Sequence, residues 1–299
     1  MFWNIKKKQK IKPQQKSSAS KERKKETPPQ WKPTYVKPIN HQKQPIPKVE
    51  LESKNRKDWG KEFIKTFHTL SYNHRTWDVW QDLIVMCACA ISNSLDKENY
   101  ECREKRYLET VNKYTKEEQK IFPELVACIT MALEENPEQD FLGKLFMELN
   151  LSDKSRDQFF TPYHVCELMA DVTVENALSE VQSKGYISVY DPCCGAGATL
   201  IASIHTIKKQ LEKSTPPLNY QNYILVAAQD IDETVALMCY IQLSLLGVAG
   251  YVKVGNALTN PLSSNDPVDN YWFTPMYFSD IWYMRRTFQK FDNLFKRDS

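Results

Sequence analysis

The residues best placed for chemistry form one short run, Asp191-Pro-Cys-Cys-Gly-Ala-Gly197, with Thr199 and Leu200 directly after it. Gly195 and Gly197 make a loop whose backbone can approach a ligand closely, and Asp191-Pro192 places an acid and a chain-stopper at its mouth. The elements around the run fix its setting. Ile187, Val189 and their flanking tyrosines are β-branched or aromatic and predict a short buried strand. Leu200, Ile204, Ile207 and Leu211 recur at helical spacing, so the loop feeds a helix N-terminus. Strand, glycine loop and helix in this order bind nucleotide-like cofactors at the carboxyl end of the strand.

The details narrow the ligand. A dinucleotide fingerprint wants a third glycine where this chain has Leu200, and no Gly-Lys-Ser/Thr follows to make a phosphate loop. An acid before a two-glycine loop suits a ligand that carries an ammonium group and no phosphate, which describes S-adenosylmethionine. A glycine pair also serves as a plain turn, and that reading stays open on these residues alone.

Further strands continue the pattern. Tyr223 to Asp230 reads as a second apolar strand ending in an acid, a position that suits the two hydroxyls of a ribose, with Asp232 as a competitor two residues on. A helix is predicted from Glu233 to about Leu246, ended by Gly247 and Gly250, and Tyr251-Val-Lys-Val254 is a third strand with Gly255-Asn256 at its end. Three strands alternating with two helices predict an α/β fold with parallel strand order.

Before this unit, residues 58–149 carry helical periodicity. Trp77, Trp80, Ile84 and Cys87 form one stripe behind Thr76 as N-cap, and Tyr107, Leu108, Val111 and Tyr114 form another. Thr115 to Glu118 reads as a capping box; Leu125, Ile129 and Leu133 follow Pro123, and Phe141, Leu145, Phe146 and Leu149 make a last helix. In Gln158-Phe-Phe-Thr-Pro162, Thr161 is expected to cap a helix with Pro162 as its first residue. The predicted organisation is a disordered basic tail over 1–56, a helical domain over 57–150, and an α/β domain over 151–299.

Charge and cysteine usage bound the remaining classes. Residues 1–56 hold 16 Lys or Arg against 4 acids, whereas the rest of the chain holds 24 against 33. A basic, proline-rich tail with Trp31 and Tyr35 among its lysines suits sequence-independent nucleic-acid binding, or a solvated linker. The eight cysteines include no Cys-x-x-Cys pair, and no His stands at zinc-ligand spacing, so no metal is expected. The apolar run from Leu83 to Ile91 is too short to span a bilayer, and Met1 to Ile5 is followed by lysines without an apolar signal region, so a cytoplasmic protein without a membrane anchor is expected.

Taken together, Gln158 to Pro162, Asp191 to Gly197 and the second-strand acid Asp230 resemble the gamma-class adenine-specific DNA methyltransferases, most closely the modification subunits of type I restriction systems. The likeness runs from about Asp140 to Leu258, with a helical domain in front. It implies a Rossmann-like sheet that binds S-adenosylmethionine and acts on adenine in DNA, beside other restriction-modification subunits or a full-length methylase. It also implies that Phe159, Phe160 and Thr161 contact the cofactor, that Asp191, Cys194, Gly195 and Gly197 surround its methionine part, and that Asp230 holds the ribose. The family's fourth-strand tetrapeptide, Asn/Asp-Pro-Pro-aromatic, has no counterpart after the third strand. Asn256 and Asn260, with Asp280 behind them, are the polar candidates near that position, and Asn260-Pro261-Leu262 reads as a turn. The alternative implied is a degenerate accessory module that binds cofactor or DNA. Gln158 to Ser299 comprises 142 residues, short of the roughly 200 that a full domain of this kind needs, so a shortened sheet is expected. The aromatic run Tyr271 to Trp282 is expected to cap its edge in place of a strand, with a stacking surface as the alternative.

Overall fold

The structure is a computed structural model that describes residues 57–151, 160–263 and 266–295, with side chains to residue 288. The reading of 1–56 as a basic tail lies outside the described residues. Those residues belong to the compact unit Ser53–Ser299.

Six helices come first: α1 (Trp59–Ser71), α2 (Thr76–Asn93), α3 (Tyr100–Val111), α4 (Lys116–Gln119), α5 (Ile121–Glu135) and α6 (Phe141–Glu148). Asp58 caps α1 by accepting the Lys61 amide, and Thr115 and Glu118 form the reciprocal capping box at α4. Phe63, Phe67, Trp80 and Phe146 meet edge to face and stacked at 5.8 to 6.1 Å, which makes an aromatic centre for this layer. Arg75, not Thr76, is the N-cap of α2, and its side chain makes no capping bond. In α3 the expected stripe differs from the buried one: Leu108 is exposed while Arg103 and Thr110 are buried.

Helices α7 (Tyr163–Thr173) and α8 (Ala177–Lys184) lead into β1 (Ile187–Asp191). Pro162 is the N-cap of α7, one residue later than expected, because Thr161 makes no capping bond and the helix begins at Tyr163. After β1 come α9 (Ala198–Glu212), β2 (Ile224–Asp230), α10 (Glu233–Leu245) and β3 (Ala249–Val254). Strands β1, β2 and β3 are parallel, and β4 (Tyr271–Phe273) runs antiparallel on β3, giving the order β1-β2-β3-β4. The protein is thus α/β with a small mixed sheet. Gly250 belongs to β3 and does not end α10: a Cβ there would stand 2.5 Å from the Val226 carbonyl oxygen, so the close strand pairing requires glycine.

The aromatic run does cap the β3 side, yet it does so by supplying a strand. Tyr271–Phe273 pairs with β3, a short turn over Pro275–Phe278 stacks Tyr277 on Phe273 at 4.7 Å, and α11 (Asp280–Phe295) follows. Trp282 is buried against Tyr186 and donates to the Gln221 carbonyl. One core joins the helical layer to the sheet, with Val226, Ala228 and Val252 among Leu200, Ile204, Val235 and Cys239.

Candidate cofactor site

The site grows from the loop after β1. Asp191 Oδ1 accepts the Cys193 amide at 2.9 Å, and its Oδ2 accepts the Thr199 hydroxyl, so one carboxylate spans the loop from end to end. Gly195 and Gly197 sit at φ of +52° and +98°, conformations that suit glycine. The Cys194 amide donates to the Gln229 carbonyl at 3.0 Å, and the Gly195 amide donates to Asp230 Oδ2 at 2.8 Å. These bonds lash the loop to the end of β2.

Asp230 is partly buried and accepts a second amide, that of Asp232, on Oδ1 at 3.0 Å. Burial, its largest cause, holds this carboxyl above its ordinary 3.8, with the two amides acting the other way. Asp232 plays a different part, since its Oδ1 accepts the Thr234 amide at 2.8 Å and caps α10. Both acids line the cleft, Asp230 holding the glycine loop and Asp232 the start of α10.

Around the loop opens a cleft of about 930 Å³. Its lining is Pro192 to Ala196, Ala198 and Thr199 of the loop and α9, Asp230, Ile231, Asp232 and Val235 from the end of β2 and the start of α10, Asn256 to Leu258 after β3, and Asp140, Phe160 and Thr161. Phe160, Thr161, Cys194, Gly195 and Asp230 are brought together here; Asp191 and Gly197 stand behind the loop and shape it. Phe159 lies outside the described residues. The Phe160 ring lies 3.3 Å from where a Cβ on Gly195 would be and 5.3 Å from the Phe146 ring. A hydrogen bond to Cys239 and burial together push the Cys194 thiol well above its ordinary 9.0, so it packs as a small apolar group and not as a nucleophile.

Asn256 lines the cleft, and its Oδ1 accepts the Leu258 and Thr259 amides. Asn260 is not among the lining residues: its Oδ1 accepts the buried Lys253 ammonium at 2.9 Å and its carbonyl accepts Gln229 Nε2 at 2.8 Å. Lys253 also donates to the Pro261 carbonyl and to Asp266, so it anchors the loop that carries Asn256. Asp280 starts α11 and lies outside the cleft lining.

Two residues of the site escape a reading of the sequence. Asp140, pushed up by burial, accepts the Gly143 amide and Gln242 Nε2 on one oxygen, and the same Gln242 nitrogen donates to the Ala196 carbonyl at 2.8 Å. Gln242 thereby couples the glycine loop to the helical layer. Its signal is a fully buried amide within the apolar run of α10.

Among the described residues no group of three His, Cys, Asp or Glu could hold a metal, and no helix is long and apolar enough to cross a membrane. No curated protein matches the chain significantly. Residues 140–298, more than half of the sequence, match the family model described as N-6 DNA methylase. That match spans Asp140, the glycine loop, Asp230 and the whole sheet, and on it the chain belongs to the N-6 DNA methylase family.

Proposed function

We propose that the cleft binds S-adenosylmethionine and that the chain serves adenine methylation of DNA, as a gamma-class relative of type I modification subunits with a Rossmann-like, shortened sheet. The observation that carries this reading is the Gly195–Asp230 tie beneath an open cleft. Two left-handed glycines expose loop backbone, and the acid at the end of β2 keeps capacity to spare. Each carboxylate oxygen has two lone pairs, and the Gly195 and Asp232 amides use one on each, which leaves both oxygens able to accept a ribose hydroxyl. Asp191 holds the loop in shape, and Phe160 brings its ring beside Gly195. Volume fits as well, since cofactor clefts run to about 300–1,000 Å³. When bound, the cofactor supplies an electrophilic methyl group; this chain's residues position it and exclude water.

A second reading, a cofactor- or DNA-binding accessory module, is favoured by one observation. Asn260-Pro261, the nearest approach to the missing tetrapeptide, is committed to Lys253, which leaves Asn256 as the amide facing the cleft. Titration calorimetry with S-adenosylmethionine tests the first half: saturable binding that Asp191→Ala abolishes is the expected result, and no binding by folded protein overturns it. Labelled cofactor with mixed-sequence DNA tests the second: label in adenine supports the enzyme, and bound cofactor without transfer supports the accessory module. The charge of residues 1–56 suits DNA as the partner, in the cytoplasm and beside other restriction-modification subunits. Deletion of 1–56 is expected to remove most salt-sensitive DNA binding, and unchanged affinity at low salt overturns that role.

A further inference from the structure

Strand β1 closes one side of the sheet without the features that protect an edge. Charges, prolines and bulges normally blunt an outer strand, whereas β1 reads Ile-Ser-Val-Tyr before its final Asp191. The Ile187 amide donates to the Tyr223 carbonyl at 2.8 Å, so alternation turns the main-chain groups of 187, 189 and 191 toward β2. Those of Ser188 and Tyr190 face outward, and among the described residues nothing pairs with them. Tyr190 is 50% exposed.

Helix α7, which reaches this strand through α9, is also incompletely covered. Cys166 and Ala170 of α7 pack on Ala198 and Ala202 of α9, which itself lies on β1. Val165, Leu168, Met169 and Val172 form a second stripe on α7 at i, i+3, i+4 and i+7, and they are 37, 65, 49 and 73% exposed. An apolar arc this wide belongs to a helix with two neighbours. On the other face of the sheet, Tyr190, Ala227, Tyr251 and Phe273 stand in one row across the four strands. Tyr277 covers the Tyr251–Phe273 end of the row, and the Tyr190 end is open.

The cleft sits at the carboxyl end of this same strand. Ligand crevices in open α/β sheets lie where the strand order reverses, with a strand on each side, and here β1 has a neighbour on one side only. We propose that the free edge of β1 and the exposed stripe of α7 receive an apolar, parallel β-strand from another polypeptide, which continues the sheet and walls the cleft. A symmetric pairing of β1 with β1 of a second copy is necessarily antiparallel; it directs the two clefts to opposite ends of the sheet and gives neither a second wall. Docking depends on the edge and the stripe, whatever the cleft holds.

A photo-crosslinking amino acid placed at position 190, 172 or, as a control, 72 of the full chain tests this in the cells that make it; Tyr72 is 90% exposed on another helix end. Adducts to one and the same foreign polypeptide from 190 and 172, and not from 72, are expected. In the purified pair the Ser188 and Tyr190 amides should exchange at least about tenfold more slowly than in the free chain. Leu168→Glu with Val172→Glu, both at exposed positions, should leave the thermal midpoint near that of the native chain and remove the adduct at 190. Adducts only within this chain or between its copies, none above the control, or unchanged amide exchange would overturn the proposal.

Discussion

The Gly195 amide and the Asp230 carboxylate, 2.8 Å apart, tie the glycine loop after β1 to the end of β2. One acid thus shapes the loop and faces the cleft. Asp230→Ala leaves the Gly195 and Asp232 amides without their acceptor, at about 1–3 kcal/mol for each amide that stays dry. Thermal unfolding should show the loss, and calorimetry should show cofactor affinity reduced at least about tenfold.

The same carboxyl sets a pH signature. Burial raises its folded value above 3.8, so the folded state holds the proton more tightly than the unfolded chain. Relative to Asp230→Asn, which does not titrate, the native protein should gain stability as pH falls through the folded value, in full below 3.8, and lose it as pH rises again. Denaturant unfolding of both proteins at a series of pH values measures this; parallel curves would contradict it.

Gly197 and Gly185 separate crowding from backbone strain. Both have positive φ, but a Cβ on Gly185 meets nothing within 4 Å, whereas one on Gly197 stands 2.9 Å from Cys239 Sγ. Gly185→Ala should cost about 1–2 kcal/mol from the left-handed backbone alone. Gly197→Ala should cost more, about 2–4 kcal/mol once overpacking is added, and Cys239→Ala in the same chain should recover part. Equal losses for the two glycine variants would place the effect in the backbone only.

The legible parts of this fold are those where one residue type has one local meaning. Alternating β-branched residues before Asp191 mark β1, and helical spacing after Gly197 marks α9, because both signals are local. Gly250 misleads because a glycine after a helix reads as its cap; only the nearness of the Val226 carbonyl shows why it stands inside β3. Tyr271–Phe273 is too short to show alternation, so its aromatics suggest a cap and conceal a strand. Asp140 and Gln242, about a hundred residues apart in the chain, meet only in three dimensions, and no spacing rule reports such a pair.

Arg103 shows why burial in α3 departs from hydropathy. It donates to Asp96 and to the Tyr271 carbonyl, each at 2.7 Å, while its guanidinium lies 4.0 Å from the Trp272 ring centre, so a buried cation clamps the helical layer to β4. Arg103→Met leaves the buried Asp96 carboxylate, still bonded by Asn99, without its counter-charge and should cost about 3–5 kcal/mol, whereas Arg103→Met with Asp96→Asn, which removes the charge and keeps an acceptor for Asn99, should restore part of it. Chemical denaturation of the single and double variants decides between a structural clamp and a dispensable contact.

His205 gives a switch in the opposite sense to Asp230. Its Nε2–H donates to the Pro137 carbonyl at 2.7 Å, and burial, the largest cause, holds the ring below its ordinary 6.5 despite Glu138 nearby. The unfolded chain takes up a proton near 6.5 where the folded one does not. This stability is therefore complete above that pH and lost as pH falls below it, with a slope of at most about 1.4 kcal/mol per pH unit for one proton. His205→Gln keeps a donor without titrating, so its unfolding free energy should change less between pH 7.5 and 5.5, both roughly one unit from the ordinary histidine value. An equally steep fall in the variant would show that other groups carry the acid sensitivity.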